Sequence, residues 1–130
     1  MEIENYILRI ERHTHHHRDD WGVESDSYTC LDADLKGLQE GDTVKPTEYR
    51  GEGVTRCSDP QTYLECQKIE DTSLTFRFFF LENYHGTEIT VGPDQPALAG
   101  GSTDRSSSHY TLSLVPKEQY APQKGFINYL

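Results

Sequence analysis

Residues 73–84 read SLTFRFFFLENY, and their period-two pattern decides the fold class. Leu74, Phe76, Phe78 and Phe80 fall on one side of an extended chain, while Phe79 and Leu81 add apolar surface to the other, as expected of a central strand. Just upstream, YLECQKI at residues 63–69 is a second extended run, set off by Glu70, Asp71 and Thr72. The two predict a hairpin.

The same rhythm recurs outward from this pair. In residues 2–12, Tyr6, Leu8 and Ile10 share a side opposite Arg9 and Glu11; in residues 27–35, Thr29, Leu31, Ala33 and Leu35 oppose Tyr28, Cys30, Asp32 and Asp34. Both read as half-buried strands, the second with a partly acidic outer face. LKGLQEGDTV breaks the alternation with Gly37, Gly41 and Asp42, a tight connection or one short helical turn, and Pro46 makes the next strand an edge or a brief one. Residues 50–60 read as a loop, and Asn83 to Gly86 as a turn into TEITV. From Gly92 to Ser108 the composition predicts a long connection, followed by the strand HYTLSLV and a tail from Pro116 that carries Tyr120, Phe126, Tyr129 and Leu130. Seven or eight strands without a sustained helical period predict one all-β antiparallel domain over residues 1–130, a β-sandwich or jelly roll.

Composition narrows the function classes. The chain has 22 acidic against 12 basic residues and a net charge of -10, with a pI near 4.9, so nucleic acid and anionic membranes are poor partners. Residues 19–42 hold much of the excess: Asp19, Asp20, Glu24, Asp26, Asp32, Asp34, Glu40 and Asp42 against Lys36 alone. A solvated face is the plain reading, and a cation site or a dock for a basic partner are the sharper ones. No apolar stretch reaches the roughly 18 residues of a membrane span. The charges spread through MEIENYILRIER do not form a signal peptide, which leaves the compartment open. Cys30, Cys57 and Cys66 cannot all pair within one chain. Buried reduced thiols are expected, a Cys57–Cys66 bridge is compatible with the turn-rich segment between them, and no C-x2-C pair suggests zinc.

His13, His15, His16 and His17 followed by Asp19 and Asp20 form the most unusual local feature. If the strand continues through them, His13, His15 and His17 project from one face, and Asp19, Asp20, His85 or His109 can complete a site for a divalent transition metal. A polar strand end leading into a loop is the plainer alternative. Imidazoles ligate only when neutral, so uptake is expected to fall below about pH 6.5. His13-x-His15 with a following carboxylate resembles the start of a cupin metal site, which implies a jelly roll and, more distantly, an oxygenase or isomerase. The chain departs from that pattern with Ile7 in place of a glycine, Asp19 and Asp20 in place of a glutamate, and Pro96, Gly100 and His109 too widely spaced for the later motif. No family membership follows.

Two other chemistries are weaker. Asp19, Asp20, Glu24 and Asp26 with Asp94 and Asp104 offer oxygens for calcium from two loops, without EF-hand spacing. Ser106, Ser107 and Ser108 adjoin His109, but no G-x-S-x-G elbow accompanies them, and extended neighbours point to opposite faces. Trp21 and the tyrosines suit either a sugar platform or the core. The leading expectation is a non-enzymatic module that binds a protein or carbohydrate through end loops containing Trp21, Asp94, Asp104 and Arg105. A metal-dependent protein or enzyme is the rival, and an acidic adaptor or inhibitor masking a basic partner is the third class.

Overall fold

The computed structural model describes residues 2–18, 21–46, 48–51, 62–80, 83–103 and 105–119, with the backbone alone for 48–51. Among these residues the chain forms nine strands: β1 Tyr6–His16, β2 Ser25–Asp34, β3 Thr43–Val44, β4 Glu48–Gly51, β5 Tyr63–Ile69, β6 Leu74–Phe80, β7 Asn83–Val91, β8 Ala97–Ser102 and β9 Ser106–Pro116. Short 3-10 turns at Ile3–Asn5 and Lys117–Gln119 flank them. A five-stranded sheet has the order β4-β2-β1-β9-β8 and a four-stranded sheet the order β3-β5-β6-β7; all pairings are antiparallel. The expectation of an all-β antiparallel fold holds: two sheets are present, consistent with a sandwich, and β5, β6 and β7 form a meander within one of them.

The quoted stretch lies where its pattern requires. β6 is flanked by β5 and β7, and Leu74, Phe76, Phe78 and Phe80 are at most 2% exposed. Leu8, Ile10, Leu31, Leu112 and Leu114 face them from the other sheet. Phe78, Phe80 and Tyr110 meet ring to ring across the layers, with centroids 4.5 to 5.1 Å apart, within the range of favourable aromatic pairs. On the outside of β6, Phe79 stacks on Tyr63 at 4.6 Å.

β1 lies between β2 and β9, and its whole length is registered against β9, from Tyr6 opposite Pro116 to His16 opposite Ser106. Gly37 and Gly41 take φ of +76° and +94° in the turns that follow β2, a region only glycine enters at little cost. β4, downstream of Pro46, is a four-residue edge strand, as the proline predicts.

Two stretches differ from the sequence reading. The expected connection at 92–108 contains β8, whose residues Ala97 to Ser102 pair with Leu112 to Ser107 of β9. Its side chains give no strand signal because Ala, Gly and Ser contribute little packing; the ladder is supplied by backbone groups lined up on β9. Among the described residues Gly92–Pro96 remains a connection, and Thr103 N–H donates to Ser106 O at 2.7 Å where β8 leads into β9. The expected turn at Asn83–Gly86 belongs to β7. There the register passes from Phe78 opposite Thr87 to Phe80 opposite Asn83, so Phe79 faces a bulge containing Tyr84, His85 and Gly86. Most of the 50–60 loop, Cys57, Leu81 and the tail residues Tyr120, Phe126, Tyr129 and Leu130 lie outside the described residues.

Candidate functional site at the histidine end of the five-stranded sheet

Alternation along β1 sends Leu8, Ile10 and Thr14 inward and Arg9, Glu11, His13 and His15 outward. Register with β2 and β9 then fixes the outer neighbours. Asp32 stands opposite Arg9, Cys30 opposite Glu11, Tyr28 and His109 opposite His13, and Asp26 opposite His15. A polar row thus runs along the outer face of the sheet.

The middle of the row is sequestered. Arg9 Nε lies 3.2 Å from Asp32 Oδ1, with 13% and 6% exposure. Tyr28 Oη donates to Glu11 Oε2 at 2.7 Å, and Cys30 Sγ to Asp32 Oδ1 at 3.6 Å. Burial, with the charge of Asp32 second, pushes the Cys30 thiol up to about 12. Burial and the hydrogen bond to Glu11 likewise raise the Tyr28 phenol. Both groups keep their protons at neutral pH, so neither is an activated nucleophile. Ser108 is buried with its Oγ 3.0 Å from Thr14 Oγ1 on the inner face, whereas His109 is on the outer face, which separates that serine from the imidazole beside it in sequence.

Towards the end of β1 the row becomes exposed. The His13 ring lies 4.8 Å from that of Tyr28. His15 Nδ1 is 2.8 Å from Asp26 Oδ1, its Nε2 is 4.0 Å from Glu24 Oε2, and its ring is 5.7 Å from that of His17. His16 belongs to the opposite face, 3.5 Å from Ser27. The strand therefore continues as far as His16, with His13 and His15 on one face beside His109, while His17, expected on the same strand face, lies just beyond the strand. His85 lies on β7 in the other sheet. Asp19 and Asp20 lie outside the described residues. Among the described residues no group of three or more His, Cys, Asp or Glu side chains could hold a metal ion. Cys30 and Cys66 are buried free thiols.

Beyond His16 the chain turns through Trp21, 89% exposed, and Val23, 56% exposed, before β2 begins. His17 N–H donates to Arg105 O at 2.8 Å and fastens this loop to the β8–β9 turn. Trp21 and Arg105 therefore belong to one end of the sandwich. Asp94 is at the other end, in the β7–β8 turn, lining an open cleft with Tyr6, Asp71 and Thr72. Of the loop residues expected to act together, Trp21 and Arg105 are neighbours in loop position, Asp94 is not, and Asp104 lies outside the described residues. The Arg9–Asp32 and Glu11–Tyr28 partnerships escape single-strand reading; pairing residues 6–16 against 25–34 as a hairpin in register is the signal that finds them.

Comparison with known proteins leaves this geometry to stand alone, since no family model, no curated protein and no solved structure matches the chain. No helix among the described residues is long and apolar enough to cross a membrane.

Proposed function

We propose that the chain is a non-enzymatic β-sandwich module that binds a partner protein through the loops at its histidine end. The observation that carries this reading is the exposure of Trp21 and Val23 on a loop tied by its backbone to the turn bearing Arg105. Tryptophan and arginine are the residues most enriched in binding hot spots, where a large apolar surface leaves water beside a directional cation. A folded scaffold that holds the loop base lowers the ordering cost of association. The protonated Cys30 and the inward Ser108 support a binding role over nucleophilic chemistry.

Trp21 is the sole tryptophan of the chain, so its fluorescence reports directly on this end. Capture of partners from source-cell extract by immobilised wild type, Trp21→Ala, Arg105→Ala and Asp94→Ala tests the proposal. Trp21→Ala and Arg105→Ala are expected to lower capture at least about tenfold, the effect of losing roughly 1.4 kcal/mol, with circular dichroism unchanged. Asp94→Ala, at the far end, is expected to behave as wild type. Equal capture by all four proteins overturns the reading. Binding to a glycan array that depends on Trp21 instead assigns the same loop to a carbohydrate.

A further inference from the structure

The last strand of a sheet has backbone groups on its outer side that no ladder uses, and folded proteins blunt such edges with charge, proline, brevity or a bulge. Among the described residues the edges are β4 and β8 in one sheet and β3 and β7 in the other. β4 is short and holds Glu48 and Arg50. β3 is shorter still and leads into Lys45 and Pro46. β7 is interrupted by its bulge and carries Glu88. β8 has none of these devices: Ala97–Ser102 contains no charge and no proline, and its register on β9 is unbroken.

The bond from Thr103 N–H to Ser106 O fixes which way the β8 backbone points. Hydrogen-bonded pairs alternate along an antiparallel ladder, so Ala97, Ala99 and Gly101 bond to β9, and the N–H and C=O of Leu98, Gly100 and Ser102 turn to the open side. Leu98 is also 77% exposed, a large apolar side chain left in water on this edge.

We propose that β8 pairs with β8 of a second copy of this chain, antiparallel about a two-fold axis at Gly100, so that two five-stranded sheets become one continuous sheet. In this register Leu98 stands opposite Ser102 of the other copy and Gly100 opposite its own equivalent, which gives every outward group of the three residues a partner. Gly100 has no side chain to obstruct the approach at the axis. Charge favours a second copy over an unrelated strand. A net charge of -10 opposes self-association, yet β8 itself is uncharged, and the antiparallel register brings the exposed turn with Asp94 level with exposed Arg105 of the other copy at both ends of the contact. The contact is small, so a Kd of about 10–500 μM is expected. The two-fold sends the histidine ends in opposite directions, and the dimer therefore offers two Trp21 loops, one at each end. The pairing goes beyond the partner-binding reading and does not depend on it.

Sedimentation velocity of the full chain from about 10 μM to about 1 mM is the test. A shift from monomer to dimer is expected, with nothing larger, because an isologous contact closes at two copies. Ser102→Pro removes an outward N–H without touching the β9 ladder and is expected to weaken the dimer at least about tenfold. Leu98→Lys with Ser102→Lys sets like charges opposite each other twice and weakens it about tenfold, whereas Leu98→Lys with Ser102→Glu sets opposite charges there and stays within about threefold of wild type. Both charge pairs lie at exposed positions, so they decide the matter even if the proline variant fails to fold. A monomer at about 1 mM overturns the proposal and leaves the edge to a strand of a different protein. Equal association by the two charge pairs overturns it too, as does growth past the dimer. Partner capture measured at about 1 μM, where the chain is monomeric, keeps the Trp21 reading separate.

Discussion

Asp32 occupies a sheet face that alternation alone assigns to water, yet only 6% of it is exposed and Arg9 reaches it at 3.2 Å. Removing one member of a buried pair leaves the other charge without compensation, typically at a cost of 3–5 kcal/mol. Arg9→Met is therefore expected to lower the unfolding free energy by about 3 kcal/mol, read from urea melts. Arg9→Met with Asp32→Leu should cost less than Arg9→Met alone. A double variant no more stable than the single one argues that the pair is not the source of the effect. Cys30 belongs to the same row, and its thiol, pushed up to about 12, holds little thiolate at pH 8. Alkylation followed by mass spectrometry is expected to leave Cys30 and Cys66 unmodified in the native protein and to label both in guanidinium. Rapid native labelling of Cys30 contradicts the burial described.

Among the elements, the β6–β7 ladder depends on Gly86. Its φ is +78°, and a Cβ there would collide with Arg77 Cγ and approach Phe79 Cε1 to 2.9 Å. Gly86→Ala is expected to destabilise the fold by about 1–2 kcal/mol from the backbone conformation alone, with more from the collision. Arg77→Ala in the same chain should recover the Arg77 share of the collision, but neither the backbone cost nor the contact with Phe79, as judged by thermal melts. Where alternation is carried by large apolar residues, as in β1, β2, β6 and β9, the elements were legible in the sequence. Seeing only their alternation, however, hid the bulge at Gly86, because Asn83, Tyr84 and His85 look like turn chemistry until β6 provides a partner. β8 was illegible for a different reason: Gly100 and Gly101 are poor strand residues by themselves, and β9 supplies the order. Of the candidate site, the shared face of His13 and His15 followed from spacing. The role of Asp26 as their neighbour required the hairpin register, and the separation of Asp94 from Trp21 required the topology.

For the molecule as a whole, the protonated interior sets an alkaline limit. Cys30 and Cys66 are raised above their ordinary 9.0, and Tyr28 above 10.0. Between those values and the raised ones, the folded chain retains protons that the unfolded chain releases. Stability is thus fully present below pH 9 and lost as pH rises through the folded-state values. The melting temperature is expected to decline from about pH 9 upward, and in Cys30→Ala with Cys66→Ala the onset moves towards pH 10. A melting temperature flat to pH 11 rules this out.

The pairing of β1 with β9 also bears on synthesis. Ser106–Pro116 is the last strand of the sheet to leave the ribosome, and it is the partner that β1, the first strand made, needs along its full length. Until then Leu8 and Ile10 lack Leu114 and Leu112, and β1 has an unpaired edge open to other nascent chains. The five-stranded sheet therefore closes only once Ser106–Pro116 has been made, and a stop codon before Ser106 abolishes it instead of trimming it.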